Sequence, residues 1–95
     1  MKNKVLVKVD FPELDISYDG FIPVNEIMWK INKLLLKSIA DLSNTPINIQ
    51  AKEYVLLNKK TGKLYGNNEI VINTDIRNGT ELLMVPNSEV GVENL

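Results

Sequence analysis

Residues 25–43 read NEIMWKINKLLLKSIADLS, and this is the one stretch long and periodic enough for a full α-helix. Asn25 is placed to cap it, since its side-chain oxygen can accept from a free first-turn N–H. Pro23 disfavours a helical Ile22 and so any earlier start, and Glu26 in the first turn suits the positive end of the helix dipole. Ile27, Ile31, Leu34, Leu35, Ser38, Ile39 and Leu42 recur at the spacing of one buried stripe. Asn44 suits a left-handed position after the last turn, and Pro46 prevents continuation. Lys30, Lys33 and Lys37 lie off the stripe. Trp29, Leu36 and Ala40 form a row with Lys33 on the side roughly opposite it. Either a loop or the C-terminal segment covers Trp29, or the row is a partner-binding or homodimer stripe, because Trp is enriched in binding hot spots.

Outward from the helix the chain reads as short strands and turns. Residues 4–10 alternate: Val5, Val7 and Val9 point one way, Lys4, Leu6 and Lys8 the other, the pattern of a half-buried strand. A turn at Pro12 leads to a second strand over residues 14–17, and Tyr18-Asp19-Gly20 reads as a break with a bulge or bend at Gly20. After a polar connection over 45–53, Tyr54 to Leu57 is an apolar strand. Gly62 suits a positive-φ turn, and Lys63-Leu64-Tyr65 is the return strand. Ile70-Val71-Ile72 reads as a buried extended run, Thr74 as the cap of a helical turn over residues 75–78, and Asn78-Gly79 as a tight turn. Residues 80–85 form the last strand, ended by Pro86.

The order is β-β-α-β-β-β, with one helix to cover one face of a mixed four- to five-stranded sheet. Setting the last strand beside the first lets both bury their alternating apolar sets under the helix. That arrangement is an α+β fold of the β-grasp, or ubiquitin-like, type; an unrelated α+β two-layer sandwich is the alternative. Residues 1–86 are expected to form the domain, and 87–95 a flexible acidic tail.

Composition excludes several function classes. With no Cys and no His, the usual zinc sites, triads and acid–base dyads cannot be built. A formal net charge of −1 gives no electrostatic case for nucleic acid. Asp10, Glu13, Asp15 and Asp19 lack the glycine and terminal glutamate of a calcium loop, and a solvated acidic hairpin is the better reading. NKKTGK around Gly62 lacks the first glycine of a phosphate loop. The expectation is a protein with no catalytic residues and no cofactor. MKNKVLVKVD carries too short an apolar run for a signal peptide, and no stretch approaches a membrane span, so a cytoplasmic protein without membrane insertion is expected.

The segments YDGFIPVNEIMWKI, YVLLNKKTGKLY and TDIRNGTELLMV, in this order and spacing, resemble the YukD family of small bacterial ubiquitin-like proteins. The resemblance spans residues 4–85. It implies a cytosolic accessory of a type VII secretion system that acts by contact and not by catalysis, its partner a membrane-embedded secretion component or that component's cytosolic domain. Conjugation and sulfur-carrier roles need a terminal Gly-Gly; the sequence ends Val92-Glu93-Asn94-Leu95, so neither role is expected unless the tail is cut. The sheet face away from the helix is the candidate partner surface, with Leu6, Leu83 and Val85 outward and Leu56 or Tyr54 joining from the neighbouring strand. Against it, Lys4, Lys8 and Glu81 interrupt the patch. Trp29 and Leu36 on the helix are the competing surface. A self-associating structural or regulatory β-grasp protein unrelated to secretion is the alternative function.

Overall fold

The N-terminal alternation becomes strand β1 (Lys4–Phe11) in the computed structural model, which describes residues 3–44 and 53–87. A 3-10 turn over Pro12–Leu14, closed by Asp15 at φ 56°, reverses the chain into β2 (Ile16–Pro23). Then come the helix α1 (Met28–Ser43), β3 (Tyr54–Asn58), β4 (Leu64–Tyr65) and β5 (Glu81–Pro86). The five strands lie in the order β2-β1-β5-β3-β4. β1 runs parallel to β5, with Val9 opposite Leu82, and the remaining pairings are antiparallel. This mixed sheet under one helix is the β-grasp architecture. Its interior is built by the period-2 rule: Val7, Val9 and Phe11 of β1, Ile22 of β2, Leu56 of β3, and Leu82 and Met84 of β5 are buried against Met28, Ile31, Leu35 and Ile39 of α1.

β2 runs unbroken through Gly20, pairing residue by residue with β1 from Ile16↔Phe11 to Pro23↔Lys4. No bulge forms there. The Tyr18 ring leans forward along the strand, close enough that a Cβ at Gly20 would sit 3.1 Å from Tyr18 Cε2, and so covers the bare backbone.

The helix begins at Met28, two residues later than the Asn25 cap implies, and Ile27 precedes it in extended conformation with no side-chain cap. The reason is long-range. The N–H groups of Met28 and Trp29, which a local cap would serve, donate to the carbonyls of Glu69 (2.8 Å) and Asn67 (3.1 Å). Residues 24–26 turn and bend ahead of the extended Ile27, held by Ile72 N–H donating to Val24 O (2.8 Å), Val71 N–H to Glu26 O (3.1 Å), and Ile27 bridged to Ile70. Glu26 therefore precedes the helix, its carboxylate accepting from Ile27 N–H at 3.1 Å. At the other end Asn44 takes the expected left-handed φ of 53°.

The buried sector of α1 is also rotated from the expected stripe. Met28, Ile31, Leu35 and Ile39 are buried, and Leu36 and Ala40, expected opposite, pack against the core. Leu34 and Leu42, expected inside, are exposed.

Ile70 to Ile72 is not an extended run either. Val71–Asn73 is a 3-10 turn with Val71 buried and Ile72 exposed. Thr74 closes that turn and caps no following helix: its hydroxyl donates to Val71 O (2.6 Å) and accepts from Ile76 N–H (3.2 Å). Gly62 and Gly79 hold the expected positive φ, 77° and 89°. The Asn78-Gly79 turn is fastened to β1, for Asn78 Oδ1 accepts from Leu6 N–H and Gly79 N–H donates to Leu6 O, both at 2.8 Å. The connection over 45–52 and most of the expected tail lie outside the described residues; Asn87, the tail's first residue, donates its N–H to Glu53 O at 2.9 Å.

Candidate functional site

The outer sheet face follows from register. Residues directly opposite one another in neighbouring strands share a face. Leu6 stands opposite Phe21, and they are 38% and 60% exposed. Farther along, Leu57 stands opposite both Leu83 and Leu64, and Val55 opposite Val85. Leu64 is exposed, Leu83, Leu57 and Val55 are half-buried, and Val85 is 7% exposed.

Between the Leu6–Phe21 pair and the Leu83 cluster runs a row of alternating charge. Asp19 stands opposite Lys8, Lys8 opposite Glu81, and Lys60 Nζ lies 3.6 Å from Glu81 Oε2. Beside this row Lys59, just past β3, reaches over β5 to Asp10 on β1, and Asp10 also accepts from Ser17 Oγ at 2.6 Å. The Lys59 hydrogen bond, helped by Ser17, holds the Asp10 carboxyl below its ordinary 3.8, and Asp10 in turn raises Lys59. Leu83 shares with Lys8, Asp10, Pro12 and Lys59 a shallow depression of about 490 Å³. The interruption by Lys8 and Glu81 weighed against this patch is therefore a defined charged band with apolar surface on either side.

Leu56 does not belong to this face. It is fully buried, because its register partner is Met84 on the helix side, and Tyr54 points inward with it. The outward residues of β3 are the neighbours Val55 and Leu57. The parity of β3 relative to β5 decides this, and it depends on a pairing that the isolated segment does not announce. Phe21 was missed for a related reason. A break at Gly20 would end the strand before Phe21, and only the unbroken course of β2 sets Phe21 on the sheet face opposite Leu6.

On the helix, Trp29 is 43% exposed, with the ammonium groups of Lys30 and Lys33 at 5.5 and 5.7 Å from its ring centre. Leu36 is partly buried against the core, so the row contributes one large apolar side chain instead of two.

The acidic N-terminal residues are dispersed into separate contacts. Asp10 takes Lys59 and Ser17, Glu13 accepts from the Tyr54 hydroxyl, and Asp19 faces Lys8. Among the described residues no group of three His, Cys, Asp or Glu side chains is placed to hold a metal ion, and no helix is long and apolar enough to cross a membrane. Tyr65 donates to Asp75 Oδ1 at 2.5 Å; burial, then this carboxylate, pushes its pKa up to about 12, so the phenol stays protonated and ties β4 to the loop after Val71–Asn73.

No protein-family model and no curated protein matches the chain. Solved structures do. The EccD5 ubiquitin-like domain from Mycobacterium xenopi superposes with a TM-score of 0.72 at 12% identity, over 87% of this chain and 93% of that one. The chain has the ubiquitin-like fold. A chain of the MycP5-free ESX-5 inner membrane complex gives a TM-score of 0.71 at 17% identity over 88% of this ubiquitin-like chain, which spans only 21% of that larger protein. A chain of the toluene 4-monooxygenase HD complex with the inhibitor 4-bromobenzoate scores the same 0.71 at 8% identity, over 87% of this chain and 98% of that one. Equal scores against a secretion complex and an oxygenase complex mean that fold likeness at this identity carries architecture and no activity.

Proposed function

We propose that this chain is a non-catalytic ubiquitin-like interaction module, a cytosolic accessory of a type VII secretion system. In this reading residues 1–86 are the folded module, 87–95 a flexible acidic tail, and the partner is the cytosolic part of a membrane-embedded secretion component. The motifs that resemble the YukD family support the setting, as do the ESX-5 complex and the EccD5 domain among the structural neighbours. The observation that carries the contact mode is the outer sheet face, where Leu6, Phe21, Leu83, Leu57 and Leu64 offer apolar surface on both sides of a charged band. A few apolar anchors supply binding energy while a surrounding charge pattern sets register and excludes wrong partners.

The test is affinity capture from the native host with the full chain, the bound proteins identified by mass spectrometry. Wild type should retain a type VII membrane component. Leu83→Asp and Phe21→Asp, each checked for fold by circular dichroism, should lose it, while Trp29→Ala should keep it. Capture of no secretion component overturns the setting, and full capture by both folded sheet variants overturns the surface.

A further inference from the structure

We propose a second interaction surface, independent of the outer sheet face: the edge of β2 with the adjoining flank of α1, which takes a second copy of this chain. Among the described residues β2 is an end strand of the sheet, eight residues long, and an end strand presents unpaired backbone N–H and C=O groups to another strand. Above it lies the α1 flank that the rotated helix leaves outside, with Leu34 43% and Leu42 56% exposed. The two surfaces are continuous. The buried hydroxyl of Tyr18, on the helix side of β2, lies beside Ser38, midway between Leu34 and Leu42.

This surface matches its own two-fold image, the requirement for an interface between identical copies. Place the axis perpendicular to the sheet, just outside the β2 edge and level with Tyr18 and Ser38. The β2 strands of the two copies then pair antiparallel, with Tyr18 opposite Tyr18. Asp19 falls opposite Ser17 of the second copy and not opposite another Asp19, so no like charges meet on the outer face. The helices cross the new seam antiparallel, which sets Leu34 against Leu42 of the other copy, twice by symmetry. The exposed Lys37 and Asp41 border this apolar seam on its solvent side. In antiparallel helices Lys37 of each copy stands near Asp41 of the other, giving two opposite-charge pairs. A register centred on Asp19 would oppose two carboxylates and offset the leucines. The dimer is a continuous ten-stranded sheet with a helix pair on one side, and its outer faces remain open for the partner proposed above.

Sedimentation velocity on the full chain tests this, with a charge swap as the decisive comparison. Wild type should dimerise at concentrations up to about 100 μM, the range of weak specific association. Lys37→Asp and Asp41→Lys each turn two attractive pairs repulsive and should weaken the dimer about tenfold or more. The double variant Lys37→Asp/Asp41→Lys should restore it. Both positions are exposed and leave the fold intact. Leu83→Asp should leave the dimer unchanged, which separates this proposal from the failure of the sheet-face reading. A monomeric wild type overturns the proposal, as do single variants that dimerise like wild type, a double variant no better than the singles, or loss of the dimer on Trp29→Ala.

Discussion

The two faces of the sheet are written by the same strands and obey opposite rules. On the helix side every strand contributes large apolar residues that reach near-zero exposure, and the buried Thr74 in the loop before β5 satisfies its hydroxyl both as donor and as acceptor. On the open side apolar residues are interrupted by Lys8, Asp10, Asp19 and Glu81, and each of these charges faces an opposite charge or a hydroxyl. Alternation along a strand thus separates two tasks residue by residue: one parity fixes stability, and the other is free to set contacts.

Substitutions at neighbouring positions of β3 give the sharpest break. Leu56→Ala, on the closed face, should cost roughly 2–5 kcal/mol, as buried leucine truncations do. Leu57→Ala, next in sequence but on the open face, should cost about 1 kcal/mol, because less apolar area leaves contact. Equal urea midpoints would mean that β3 is registered the other way. Thr74→Val should come next, at about 1–3 kcal/mol, since it leaves the Ile76 N–H without its hydroxyl acceptor in a buried turn; a thermal midpoint matching wild type would mean water supplies that acceptor.

The charged band gives a pH signature in place of a large energy. Asp10 is depressed below 3.8, chiefly by Lys59 and then by Ser17. A carboxyl depressed in the fold adds stability that is present above its unfolded value and is lost as pH falls through the lower folded value. The stability difference between wild type and Lys59→Met should therefore be level above about pH 5 and shrink at still lower pH. Lys59 is raised above 10.5, so the same difference should also fall as pH climbs past that value. A difference independent of pH would show that the pair does not form in solution. Smallest of all, Lys60→Ala should stay within about 0.5 kcal/mol, as exposed ion pairs and surface sites do.

Features fixed by local chemistry were legible in the sequence. The alternation of β1 and β5, the Ile31–Leu35–Ile39 stripe, the Asn44 stop and the Gly62 and Gly79 turns each depend on residues within one or two turns of chain. Features fixed by remote partners were not. The helix start moved because Glu69 and Asn67, some forty residues on, take the donors that Asn25 was expected to serve. The run at Ile70 became a 3-10 turn because residues 24–27 bond across to it. The binding face was half legible for the same reason. Leu6 and Leu83 were placed outward by strand alternation, whereas Leu56 and Phe21 needed the register of β3 on β5 and the unbroken course of β2. The rotation of α1 that exposes Leu34 and Leu42 depends on where the sheet lies beneath it, and helical periodicity alone fixes that only to within a residue or so.

The parallel pairing of β1 with β5 also sets an order of events during synthesis. Leu6 bonds to Asn78, 72 residues away, and the first helical turn waits for the carbonyls of Asn67 and Glu69. A chain emerging from the ribosome therefore leaves the Val5, Val7 and Val9 face uncovered and one edge of β1 open until β5 has been made. The N-terminal hairpin can form early, but it has nothing to bury against. Closing so long a loop before any reward arrives makes folding slow for a domain of this size and leaves its nascent form exposed to mispairing. Lys4, Lys8 and Asp10, spaced along that waiting strand, are charges of the kind that keep an unpaired β edge from joining the wrong neighbour.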